Sequence, residues 1–371
     1  MHYEILLRDE VRAEGAIRSG SFPRSGTKFW DGRIDPATST PWHAEATRAP
    51  GGDLAAALLL VQDGACGAGV AFSPAPRSST RYPAACSRYA FGPEEGRLTV
   101  TCFTCRTCAV QYADSQRPPA RCAICEDERQ YVGWHGQRWT TIPELSAEGF
   151  RSEVRELEPG LAGIGVTPAL AIGQRALLVQ TEAGNVLWDC PGHLDDAAVE
   201  RVRELGGLAG ISASHPHFYG CLVEWSHAFD APIHLPRADE RWIMRPDPAV
   251  RLWEDRLEVL PGVTLVRCGG HFAGSAVLHW AAGAAGRGVL LVGDTITVVS
   301  DRRYVSFMRS YPNYIPLPAS QVDRIVRTLE PLEFDRIYGG WWDRDVREGA
   351  AEAVRASARR YAAWVEGMPS E

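Results

Sequence analysis

At 371 residues the chain is long enough for two or three domains, and its hydrophobic and charged fractions, 45% and 23%, are those of an ordinary globular protein. A formal net charge of -7 gives no support for nucleic acid or an anionic membrane as main partner. Residues 1–7 lack the basic start and apolar run of a secretory signal, and the longest early apolar stretch, 54–61, is too short for a bilayer, so a cytoplasmic protein with reduced thiols is expected.

Residues 1–97 are rich in Arg, Ser, Pro, Gly and Ala and hold no sustained period of 2 or 3.6 beyond 54–61. Two explanations compete: a disordered extension, or upstream sequence read in from a start codon placed too early. Lys28 is the only lysine among 39 basic residues. That bias points to a G+C-rich genome with few chance stop codons, and it favours the second explanation. A chain beginning near Leu98 is expected to fold by itself.

Residues 98–145 carry two matched pairs, Cys105-x-x-Cys108 and Cys122-x-x-Cys125, separated by thirteen residues (109–121) that include Pro118 and Pro119. Each pair offers two thiolates on a short loop, and a structural zinc needs four. The rival readings are a disulfide cluster, which needs an oxidising compartment, and a redox C-x-x-C, which normally needs one pair. A segment this short buries little core, so the metal supplies much of its folding energy. Tyr112, Tyr131, Trp134 and Trp139 are candidates to pack around the knuckles. Cys102 lies three residues before Cys105 and leaves the register of the first pair open. The carboxylates of Glu126, Asp127 and Glu128 directly after the last cysteine would repel phosphates, against a nucleic-acid role.

Residues 146–371 read as a compact α/β unit. Strand material runs through 168–180, a turn at 182–185 leads into 186–189, and a helix capped by Asp195 extends to Leu205. A strand over 208–212, a helix over 219–229 and strands over 232–235, 263–267, 276–280 and 288–292 follow. The C-terminus, 347–365, is an amphipathic helix. Polar groups collect where these strands end: Asp189, then Ser214-His-Pro-His217, His271 and Asp294. Residues two apart in extended backbone, such as His215 and His217, point to one side.

This order of elements and motifs resembles the metallo-β-lactamase fold, an αββα sandwich with its metal site at one edge of the paired sheets. The cysteine-bearing stretches around Cys108–Tyr112 and Cys125–Val132 are similar to a zinc-ribbon lead of some bacterial members. The expected fold class is therefore α/β (α+β): the sandwich over 146–371, a small zinc ribbon before it and the extension at 1–97. The resemblance implies His215, His217 and His271 as metal ligands and Asp294 as the bridging carboxylate. It also implies that Asp189 orients ligands from behind.

The departures matter as much. Tyr219 and Gly220 stand where the family motif has Asp and His, and Ile337-Tyr-Gly-Gly-Trp-Trp342 lacks the last His. All three lost groups serve a second metal, so one zinc or iron ion is expected, and Tyr219→Asp with Gly220→His is expected to raise metal uptake. With water in a fourth position the site is hydrolytic, Asp294 orienting that water or acting as base beside Tyr219. If Asp294 fills that position, the site is closed. The expected activity is hydrolysis of a small ester, thioester, amide or lactone, and the rival is a non-catalytic metal- or ligand-binding protein. His193, His227, His234, His279, Cys221 and Cys268 read as packing residues. Tyr304, Tyr311, Tyr314, Trp341 and Trp342 are candidates to line a pocket.

Overall fold

A computed structural model describes residues 100–367, and the extension expected over 1–97 lies outside the described residues. Two sheets face each other. One has seven strands in the order Val250–Trp253, Ile233–Pro236, Gly210–Ser212, Gly184–Trp188, Ala176–Thr181, Leu161–Thr167 and Arg151–Glu158. The other has six: Arg256–Leu260, Val263–Arg267, Ala276–Trp280, Val289–Leu291, Arg336–Tyr338 and Asp345–Val346. Leu177, Val179, Trp188, Leu265, Leu278 and Leu291 are buried in the core shared by the sheets. Their strands read as continuous apolar runs because both faces are covered.

Helices cover the outer faces. Asp196–Glu204 starts where Asp195 accepts the Ala198 N–H at 2.9 Å, and the same carboxylate takes the Ser152 N–H at 2.7 Å, tying the cap to the neighbouring strand. This helix and Leu222–Phe229 contribute Ala198, Val202, Leu222 and Trp225 to one outer core. Ala319–Leu329 and Ala350–Val365 pack on the other, the second helix burying Ala350, Val354 and Ser357 at helical spacing. The layers are αββα. Among the described residues no helix is long and apolar enough to cross a membrane.

Several expected boundaries move. Only Ala176–Thr181 of 168–180 is strand, because Ala171 (φ 54°) and Gly173 (φ 73°) take left-handed backbone and turn the chain into a loop. The helix expected from Tyr219 begins at Leu222, after a 3-10 turn over Pro216–Phe218 and Gly220 at φ 43°. Strands Arg151–Glu158 and Leu161–Thr167 and helix Ala319–Leu329 were not expected.

The cysteine segment forms a three-stranded sheet, Gln111–Ser115, Thr101–Cys105 and Trp139–Thr140. It is not a detached knuckle: Cys105, Cys108, Cys122 and Cys125 share a buried cluster with Cys190, Tyr219 and Phe272. Tyr112 and Trp139 pack edge to face at 4.9 Å, and the Tyr112 hydroxyl reaches the Cys122 Sγ at 3.3 Å. Trp134, expected beside them, is fully exposed, and Tyr131 is largely exposed. Both lie in the stretch beyond the last cysteine, outside the sheet.

Candidate metal centres

The four thiols converge. Cys105 and Cys125 Sγ lie 3.6 Å apart, Cys108 and Cys122 Sγ 3.7 Å, and all four fall within 4.8 Å of one another. Zinc at ~2.3 Å from four sulfurs sets tetrahedral edges of about 3.8 Å, so this donor set fits. The converging group comprises Cys105 and Cys108, and Cys102 is not part of it. Burial pushes the Cys108 thiol up, so a cation is needed to hold it as thiolate.

The second group forms where the strands of both sheets end. His215 and His217 follow strand Gly210–Ser212, His271 lies in the loop before Ala276–Trp280, and Asp294 follows Val289–Leu291. Their ligand atoms lie within 4.8 Å of one another. His217 Nδ1 is 3.3 Å from His271 Nε2, while Asp294 Oδ2 is 3.5 Å from His215 Nε2 and 3.8 Å from His271 Nε2. Ligands at ~2.0–2.2 Å give edges of about 3.3–3.6 Å, close to these separations.

Hydrogen bonds set the ring orientations. His271 Nδ1 faces the Met308 carbonyl at 3.2 Å, which leaves Nε2 with its lone pair. His215 Nδ1 meets the Ser214 hydroxyl at 2.9 Å, and that hydroxyl donates to Asp189 Oδ1 at 2.7 Å. His215 Nε2 is buried without a hydrogen-bond partner, as a metal-directed nitrogen would be. Burial drives the His217 and His271 imidazoles to their neutral forms, the latter to about 3. Burial alone would raise the Asp294 carboxyl, but its contacts with the His215 and His271 rings and the Thr297 hydroxyl hold it below the ordinary range. Neutral imidazoles with an ionised carboxylate are what a divalent cation takes.

Asp189 lies behind this group and reaches His215 only through Ser214. Burial pushes its carboxyl up to about 8 despite the Ser214 N–H and hydroxyl. Ser214 stood in the polar motif Ser214–His217, but its role between Asp189 and His215 was not read from the sequence. Asp239 was missed too: it is buried, takes the Gly274 N–H at 2.8 Å, and is raised to about 6 by burial. Its only signal was a position just after strand Ile233–Pro236.

Tyr219 is buried, and its hydroxyl has no hydrogen-bond partner. Burial, reinforced by the charge of Asp239, holds the phenol well above its ordinary range, so it keeps its proton. Gly220 has no room for a side chain, because a Cβ there would stand 2.3 Å from the Cys190 carbonyl oxygen and 2.4 Å from that of Pro191. The expectation that Gly220→His would rebuild a second-metal ligand is therefore overturned. At the missing last histidine, a Cβ on Gly340 would stand 2.5 Å from the Phe218 ring.

The discounted residues are engaged elsewhere. His193 lies between the Ser146 and Ser152 hydroxyls, His227 meets Asp247 at 2.9 Å, and His279 meets the Glu333 carbonyl at 2.8 Å. Of the pocket candidates, Tyr311 stands 5.9 Å from the His271 ring and donates to the Asp294 carbonyl, and Trp341 packs on Phe218. Trp342 instead covers Gly163 and Gly165 under Arg155.

An αββα sandwich with three histidines and an aspartate at one edge of its sheets defines a metallo-β-lactamase-type protein. The family described as Metallo-beta-lactamase superfamily matches residues 171–341, and this domain of the chain belongs to it. It is 47% identical over 261 residues to "Uncharacterized protein YmaE" of Bacillus subtilis (strain 168), spanning 70% of this chain and 95% of that one. Among solved structures it is similar to a B3 metallo-beta-lactamase with an active-site glutamic acid: 18% identity, 58% of this chain, 89% of that chain, TM-score 0.40. It is also similar to DIM-1 metallo-beta-lactamase: 12% identity, 56% and 97% of the two chains, TM-score 0.44.

Proposed function

We propose that the protein is a metal-dependent hydrolase with a one-metal centre, acting on a small ester, thioester, amide or lactone. The observation that carries this reading is the convergence of His215, His217, His271 and Asp294, with the ligand atoms of all four within 4.8 Å of one another. One zinc or iron ion held there would supply a Lewis acid that polarises a carbonyl and acidifies water. Burial holds the His217 and His271 imidazoles in their neutral forms, with lone pairs available. The Asp189–Ser214 pair fixes the His215 tautomer. Asp294 is ionised near neutral pH and is the carboxylate positioned to accept a proton. Tyr219 keeps its proton, so any part it takes is as a donor.

A second reading is supported by the same geometry. Asp294 Oδ2 stands at ligand-edge distance from two histidines, so it can complete a tetrahedron and close the site, as in a protein that holds a metal without turnover. The two are separated by assaying the zinc- and iron-loaded full chain against chromogenic esters, thioesters, amides and lactones. Hydrolysis that falls at least about 100-fold in Asp294→Asn while metal content is kept supports the enzyme. Tight metal binding with no turnover of any class supports the closed site.

A further inference from the structure

Five guanidinium groups from five separate stretches of chain line one open cleft of about 380 Å³: Arg129, Arg241, Arg267, Arg309 and Arg324. No carboxylate lines it. Arg129 comes from the run after the last ribbon cysteine and is buried, its guanidinium 3.8 Å over the Phe272 ring that forms the wall. Two carboxylates of the acidic run that looked set to repel phosphates are spent on these arginines. Asp127 pairs with Arg129 at 2.7 Å and Glu128 with Arg309 at 2.7 Å, while Asp255 pairs with Arg267. Arg241 lies over Trp242, and neither it nor Arg324 has a carboxylate within ion-pair distance among the described residues. The cleft thus keeps uncompensated positive charge on side chains that cannot deprotonate.

We propose that this cleft binds the phosphate group of a small molecule. A guanidinium presents paired N–H donors matched to phosphate oxygens, and a phosphoryl group carries nearly two charges at neutral pH where a carboxylate carries one. The volume suits a small ligand and not a duplex. The site is distinct from the metal group, yet it adjoins it: Arg129 and Arg309 both approach the His271 carbonyl oxygen at 3.4 Å. Binding here does not depend on hydrolysis or on a bound metal.

The test is a titration of the full chain with inorganic phosphate at fixed ionic strength, followed by 31P line width and by the arginine side-chain 15N signals. Saturable binding is expected. It should weaken about tenfold or more in Arg241→Gln with Arg324→Gln, since a charge-assisted hydrogen bond is worth about 1.5–3 kcal/mol and 1.4 kcal/mol is tenfold. It should persist in His217→Ala. Both arginines are exposed, so the folded state is expected to survive, and the 15N shifts report contact without any substitution. Glycerol 3-phosphate should compete at the same site, showing that an esterified phosphate enters it. Equal weakening by the exposed control pair Arg256→Gln with Arg302→Gln would reduce the effect to general charge and overturn the proposal. So would loss of binding in His217→Ala with retention in the arginine pair, or no saturation by about 10 mM.

Discussion

The backbone N–H of Gln111 donates to the carbonyl of Gly220 across 3.0 Å, joining the cysteine ribbon to the loop that follows the two leading histidines. The contact continues on either side. The Gln174 side-chain amide reaches the carbonyls of Cys108 and His217 at 3.1 and 3.4 Å, and Ala109 packs against Gly192. The ribbon therefore forms a wall on the side where a second metal's ligands would stand. Its folding and the geometry of the histidine site are mechanically linked.

Cys122→Ser is accordingly expected to act at two places. It removes one of four buried thiols, releases the ribbon metal and lowers the melting temperature. Through Gln111 and Gln174 it also loosens the histidine site, with about a tenfold loss of metal affinity there. Metal titrations of the purified variant check this, and unchanged affinity at the histidine site would mean that the two units are independent.

Gly220→Ala is expected to destabilise the fold by about 2–4 kcal/mol, combining backbone strain at positive φ with contact against two carbonyls. Gly220→His with Tyr219→Asp should lose stability without gaining a second ion. Urea unfolding with metal analysis reads both quantities, and a stable double variant carrying an extra ion would refute the packing argument.

Ser214→Ala breaks the hydrogen-bonded path from Asp189 to His215 and strands a buried carboxyl. Metal affinity at the histidine site should fall about 10- to 100-fold while the ribbon metal stays. Asp189→Asn should have a milder effect, because the buried carboxyl is raised to about 8 and is already largely neutral at pH 7 in the metal-free protein. Competition with a chromophoric chelator ranks the two, and an equal or reversed order would contradict the relay.

His271 is lowered to about 3 by burial, against ~6.5 in an unfolded chain. Below that unfolded value the unfolded state binds the extra proton. The contribution is therefore fully present above pH ~6.5 and is lost as pH falls toward 3, by up to about 1.4 kcal/mol per pH unit. Asp189 and Asp239, both raised by burial, bias stability the opposite way. The readout is thus the difference in unfolding free energy between chelator-treated wild type and His271→Gln, where they cancel. That difference should shrink on acidification from pH 7 to 5, and a constant difference would show His271 to be solvated.

Much of the site was legible because its ligands follow apolar strands whose ends are marked by short polar motifs. Val263–Arg267 and Ala276–Trp280 stand where their β-branched and apolar runs place them, and the Asp195 cap starts its helix as expected. Strand Arg151–Glu158 was not legible because it is mostly charged and only Glu158 is buried, so no apolar alternation announces it. The fit of the ribbon against Gly220 and the placing of Arg129 over Phe272 were also hidden. They depend on contacts between residues far apart in sequence, and neither has a local signature. Gly220 was read as a lost ligand, and the packing around it shows why no side chain fits there.

The most direct test of a one-metal site beside a ribbon metal is elemental analysis of the purified full chain, repeated on His215→Ala with His271→Ala. The account predicts two ions per chain, one of them zinc on the four cysteines, and one ion remaining in the histidine variant. Three ions per chain, with two lost in that variant, would contradict it.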